Sequence, residues 1–105
     1  MYGYTLHVPA PIEVYRAMHQ AVLEVLDEEG GGEGLILHVA YPTDQGFDLT
    51  EVWDSKEHLD AFNRDLFPKA MARAGVPMDG PQPEPVEFTP AAVMTTRAFN
   101  SDAVT

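Results

Sequence analysis

The sequence predicts an α+β fold of order β-α-β-β-α-β, a four-stranded antiparallel sheet with two helices on one face. Three observations predict it. Residues 2–8 alternate Tyr2, Tyr4, Leu6 and Val8 against Gly3, Thr5 and His7, the period of a strand with one apolar face. Residues 11–29 and 55–74 instead repeat apolar side chains every three or four positions, the period of amphipathic helices. Between them, Pro42 to Gly46 is turn chemistry of hairpin length joining two apolar runs.

The first strand stops at Pro9 and Pro11, and Pro11 suits a first helical turn because its missing N–H would be unpaired there anyway. Helix one spans 11–29, with Tyr15, Met18, Val22, Val25 and Leu26 as its stripe and His19 on the border. Asp27, Glu28 and Glu29 oppose the dipole at its end, and Gly30-Gly31-Gly32 terminates it. Strand two, 34–41, is apolar on both faces: Leu35, Leu37 and Val39 on one, Ile36 and Ala40 on the other. Strand three, 47–53, puts Phe47, Leu49 and Trp53 on one side and Thr50 and Val52 on the other. Helix two opens at Asp54 or Ser55, Glu57 being placed for a capping box with Asp54. Leu59, Phe62, Leu66 and Ala70 are its stripe, Pro68 kinks it, and Gly75 ends it. A Pro/Gly-rich loop at 75–85 leads to a last strand within 86–99, interrupted by Pro90, and 100–105 read as a loose tail.

This order is the ferredoxin-like split motif, in one domain over residues 1–105. Two helices cover one face of such a sheet and leave the other bare. Strand two has two apolar faces, so the pattern predicts a second copy packed sheet to sheet, that is, a homodimer.

Composition bounds the partners. At 45% hydrophobic and 22% charged the chain has globular composition. Its net charge of −11 disfavours phosphate backbones and anionic membranes, so neither nucleic acid nor membrane is an expected partner. No apolar run reaches spanning length and no signal pattern opens the chain, which reads as cytoplasmic. The absence of cysteine removes disulfides and thiolate ligands.

Val52-Trp53-Asp54-Ser55, with Glu57 and the Ala61-Phe62 pair, resembles the strand-to-helix turn of the dimeric α+β barrel superfamily, in its antibiotic-biosynthesis monooxygenase-like branch. Leu35 to Ala40, Pro68 and Ala74-Gly75-Val76 resemble small actinobacterial members of that branch. The resemblance implies a dimeric α+β barrel, and the motif specifies fold better than activity. Haem-degrading members carry a tryptophan and an axial histidine where this chain has Phe62 and Ala72, so haem cleavage is not expected. Cofactor-free oxygenases of polyketide anthrones carry a tryptophan and an arginine matching Trp53 and Arg73, whereas their asparagine and tyrosine fall at Leu49 and Leu59. The resemblance thus implies a monooxygenase-like protein without a bound cofactor, acting on a small apolar, aromatic or polyketide-type molecule. The alternative is a non-catalytic ligand-binding or dimerisation module of the same fold.

The residues themselves narrow the chemistry. His7, His19, His38 and His58 are 12, 19 and 20 positions apart, so none forms a local ligand pair and no metal site is expected. His19 and His38 lie nearest to apolar surroundings and are the candidates for acid–base work. His58 falls in a first helical turn and reads as solvated. The glycine run 30–34 follows a helix instead of preceding one, unlike a phosphate loop. Ser55 sits in no Gly-x-Ser-x-Gly elbow. Trp53 either packs the second helix onto the sheet or walls a pocket opened by the Pro68 kink. Arg73 continues the helix-two stripe and would stabilise an anion at the pocket mouth, or else simply answers the helix dipole. The expected site therefore has His19 or His38 as base, Arg73 as anion stabiliser, and Trp53, Tyr15, Phe62, Leu49 and Leu59 as ligand contacts.

Overall fold

A computed structural model describes residues 1–94 of the chain. Strand β1 (Tyr2–Val8) leads into helix α1 (Ile12–Glu29), then β2 (Leu35–Thr43) and β3 (Gly46–Trp53). Helices α2 (Lys56–Asp65) and α3 (Phe67–Ala74) follow, and β4 (Val86–Phe88) closes the order. The strands form one antiparallel sheet in the order β2-β3-β1-β4. Thr43 pairs with Gly46, so Asp44-Gln45 is a two-residue hairpin loop.

Strand parity decides what faces the helices. Phe47 and Trp53 are completely buried, and Glu51 between them is also buried; all three point to the helix side because they are an even number of residues apart. Each apolar side chain so buried contributes roughly 1.5–3 kcal/mol. The packed core lies toward the C-terminal half of α1, where Ala21 and Val25 meet Leu66, Ala70 and Met71. Gly30 ends α1 at φ 74°, and its N–H donates to the Leu26 carbonyl. Ser55 is the N-cap of α2 and accepts from the His58 N–H at 3.3 Å.

Three expectations are corrected. The sheet is open: β2 and β4 are its two edges, and it does not close into a barrel. Of the strand-two positions that suggested a second sheet, Leu35, Ile36, Leu37 and Ala40 are half-buried. Val39, Tyr41, Val86 and Phe88 stay exposed. The Phe88 ring lies where a side chain at Gly3 would stand, and Gly3 itself pairs with Val52, which is buried. Secondly, helix two is two helices, because the chain breaks at Leu66 and Pro68 lies in the first turn of α3, where it costs no hydrogen bond. Thirdly, β4 has three residues, far fewer than the 86–99 expected. Residues 89–94 carry no strand, and the remainder of that segment, with the 100–105 tail, lies outside the described residues. No helix among the described residues is long and apolar enough to cross a membrane.

Candidate functional site

The polar group of greatest consequence is Glu51. Its neighbours in β3 are Phe47, Leu49 and Trp53 on the same face, so strand geometry drives a carboxylate into the layer between sheet and helices. Three donors meet it there. Tyr4, paired with it across β1, donates its O–H to Oε1 at 2.6 Å. Trp53, two residues along β3, donates its indole N–H to the same oxygen at 2.9 Å. His38, its partner across β2, contacts Oε2 through Nδ1 at 2.5 Å. Burial pushes the carboxyl group up, but the hydrogen bonds from His38, Tyr4 and Trp53 and the His38 charge outweigh it, and the net shift is downward. Glu51 is therefore the ionised member of the cluster.

Ionisation of Glu51 orders the remaining protons. A carboxylate can only accept, so His38 carries its proton on Nδ1. In its neutral form His38 then offers Nε2 as an acceptor, and Tyr15 from α1 lies 2.7 Å away, placed to donate its O–H. The Tyr15 oxygen is in turn 3.3 Å from Nδ1 of His19, one turn further along α1. Burial, and then the Glu51 charge, push Tyr15 up to about 12, while Arg16 pulls the other way. Burial and the Glu51 charge push Tyr4 well above its usual value too. The result is a line of groups, Glu51–His38–Tyr15–His19, running from a buried carboxylate to the margin of the fold. The His38 side chain is 17% exposed, and Tyr15 and His19 are half-buried. Because β2 is an edge strand, the line ends at the α1–β2 border. The rings of Tyr15, His19 and His38 are within 7–19° of parallel.

The structure brings together four of the residues singled out from the sequence: His19, His38, Tyr15 and, through Glu51, Trp53. It places the others elsewhere. Phe62 packs on Trp53 with ring centroids 5.5 Å apart, and Leu59 is buried in α2. Leu49 faces the helices opposite Leu6 and Ala40. Arg73 is on α3, where both guanidinium nitrogens donate to Glu28 at 2.7 Å and one lies 3.6 Å from Glu24. Beside Pro68, Leu66, Ala70 and Met71 pack against α1, and Phe62, Leu66 and Lys69 line a cleft at the α2–α3 break. His58 is hydrogen-bonded to Ser55 at 2.7 Å, and His7 to Asp48 at 2.6 Å on the open face of the sheet.

Glu51 escaped the sequence reading as a site residue, and Tyr4 was read only as an apolar ring that lines a cavity or fills the core. A signal was present: counting by two from Phe47 puts Glu51 on the apolar side of β3, and a lone acid there requires partners. Two clefts, of about 380 Å³ between Pro9–Glu13 and Pro42–Gly46 and about 340 Å³ between Glu29–Glu33 and α2–α3, lie away from this line of groups. Neither contains a member of it, so the chemistry is assigned on hydrogen bonding and burial and not on cleft size. Among the described residues no three His, Cys, Asp or Glu side chains are arranged to hold a metal ion.

No protein-family model matches the chain, and no curated protein matches it. With the sheet open and no family model matching, the resemblance at Val52–Ser55 is local to a strand-to-helix turn. The assignment to the dimeric α+β barrel monooxygenase-like proteins is withdrawn, and with it the oxidoreductase and barrel-dimer expectations.

Proposed function

We propose that the protein binds a small apolar or aromatic molecule at the α1–β2 border and removes a weakly acidic proton from it, without a cofactor. The observation that carries this reading is the unbroken line from a buried, ionised carboxylate through His38, at 2.5 and 2.7 Å, to a half-buried phenol. Tyr15 alone is too weak an acid to serve as a phenolate base at neutral pH. Coupled to His38 it becomes competent. As the substrate proton moves to the Tyr15 oxygen, the Tyr15 proton moves to His38 Nε2, and Glu51 stabilises the imidazolium that results. The substrate is left as its anion, Tyr15 ends neutral, and the positive charge forms on His38 beside the Glu51 carboxylate. Oxygen chemistry, implied solely by the family resemblance, forms no part of the proposal.

The test uses 5-nitrobenzisoxazole, a planar carbon acid whose ring opening is seen by absorbance. The expected outcome is saturable catalysis that falls on the order of 10²–10⁴-fold in His38→Gln and in Tyr15→Phe. A rate no greater than that of free imidazole, or one indifferent to His38, overturns the reading. Ligand binding without catalysis is the second reading, favoured by the near-parallel Tyr15, His19 and His38 rings, which offer a flat surface for stacking. It predicts aromatic binding that persists unchanged in His38→Gln.

A further inference from the structure

The cations of this chain are few and mostly engaged. Among the described residues Lys56 pairs with Glu87, Arg64 with Asp65, Lys69 with Glu29, and Arg73 with Glu28 and Glu24. Arg16 has no ion pair within the described residues, although Glu13 stands one turn before it on the same helix. Helical arithmetic locates it. At 3.6 residues per turn, Arg16 lies roughly 60° around α1 from His19, on the side away from Tyr15. The buried stripe of Ala21 and Val25 falls beyond Tyr15 in the opposite direction. Arg16 is therefore the next charged group outward after the Tyr15–His19 row, past Ile12 and Leu23, and it is exposed. Its charge reaches Tyr15, where it opposes the effect of Glu51.

We infer that Arg16 is the anion-recognition residue of this border site and that its ligands are small planar carboxylates. The inference rests on the proton-removal site proposed above and adds the class of molecule that enters it. A chain of net charge −11 repels acids at a distance. Within about 8 Å, the screening length at physiological salt, the nearest charge decides, and beyond His19 that charge is a guanidinium. Its planar fork of donors matches a carboxylate. A carboxylate held there sets the ring of the acid beside Tyr15 and His19. Glu51 is no rival for the same cation, since Tyr4, Trp53 and His38 already occupy it and it is buried on the far side of His38.

Benzoate and benzamide, equal in shape and different in charge, are the probes. Binding is read by ¹⁵N–¹H titration of the Trp53 indole N–H, the single indole of the chain, which reports on Glu51. Wild-type protein is expected to prefer benzoate by about tenfold at low salt. The preference should shrink with added salt, vanish in Arg16→Gln and survive in part in Arg16→Lys. Equal affinity for the two probes, no binding of either, or a preference unchanged in Arg16→Gln overturns the assignment. His38→Gln separates the two proposals. If benzoate preference persists there while wild-type protein shows no proton-removal catalysis, the base assignment fails and Arg16 stands. If catalysis holds and the charge preference is absent, Arg16 alone is wrong.

Discussion

Replacing Glu51 by glutamine keeps the shape of the relay and changes the direction of its protons. The side-chain oxygen must stay on the Tyr4 O–H and Trp53 N–H, because the Trp53 side chain is fully buried and its indole has no water to turn to. The new amide NH₂ then faces His38 Nδ1, which can meet it only as an acceptor. His38 must carry its proton on Nε2 and donate to Tyr15, so the base of the relay is lost while its hydrogen bonds survive. Two bonds to a charged acceptor become bonds to a neutral one and the third, with His38, reverses into a neutral bond; each is weaker by about 1 kcal/mol, and relief of carboxylate desolvation returns part of that. The expected cost is about 1–2 kcal/mol in urea or thermal unfolding. Glu51→Ala is the contrasting variant. It strands the Tyr4 and Trp53 donors in the interior and should cost about 3–5 kcal/mol, a large share of the stability of a domain this size. The pH dependence has a definite sign. Glu51 titrates lower in the folded protein than in the unfolded chain. Its contribution is therefore complete above the ordinary carboxylate range and is lost as pH falls through the folded value. The stability gap between wild type and Glu51→Gln should accordingly narrow below about pH 4.5. Long-range ¹⁵N–¹H spectra give the tautomer of His38 directly. The same tautomer in wild type and Glu51→Gln, or a Glu51→Gln variant less stable than Glu51→Ala, would refute this account.

Gly3→Ala places a methyl group against the Phe88 ring. Since that ring belongs to a three-residue edge strand and can swing away, the expected loss is about 0.5–1.5 kcal/mol, with faster amide exchange in β4 and unchanged exchange in β2 and β3; undiminished β4 protection would contradict it. Arg73→Gln removes an exposed bidentate contact to Glu28 on the helical layer. Proton removal from 5-nitrobenzisoxazole should stay within about twofold of wild type, and a larger drop would return Arg73 to the site.

The element order was legible because most elements have a single period. β1 and β3 alternate, α1 repeats at three and four, and the glycine run after Glu29 and the pair Asp44-Gln45 mark true turns. Pro68 was legible as a break, yet not as the start of a new helix. A proline removes a hydrogen bond inside a helix and none in its first turn, and sequence alone does not say which side of the break it occupies. Strand two misled for a related reason. An outer apolar row looks like an interface, but exposed aliphatic and aromatic residues at Val39, Tyr41 and Phe88 are tolerated on an open sheet. As for the site, Tyr15 and His19 on α1 and His38 on β2 were each singled out from the sequence. That they meet depends on cross-strand register, in which His38 falls opposite Glu51 and Glu51 opposite Tyr4. Register is a long-range property that no local window of sequence contains.

Helix α1 divides the labour along its length. Its C-terminal half, through Ala21 and Val25, packs on Leu66, Ala70 and Met71, where the close-packed apolar core lies. Its N-terminal half instead presents Tyr15 and His19 to His38 and Glu51. A buried carboxylate contributes little net stability compared with an apolar side chain of the same volume even when its hydrogen bonds are complete, so stability alone does not favour a carboxylate and an imidazole at that position. In the proposed reading, stability and proton transfer draw on different residues of one helix. Tyr15→Phe removes a hydroxyl at the fold margin and touches none of the core contacts of Ala21 or Val25. A variant that silences the relay while the apolar end of α1 holds the fold is what this division requires, and loss of activity in Tyr15→Phe with the unfolding midpoint kept near wild type is the pattern that separates chemistry from packing.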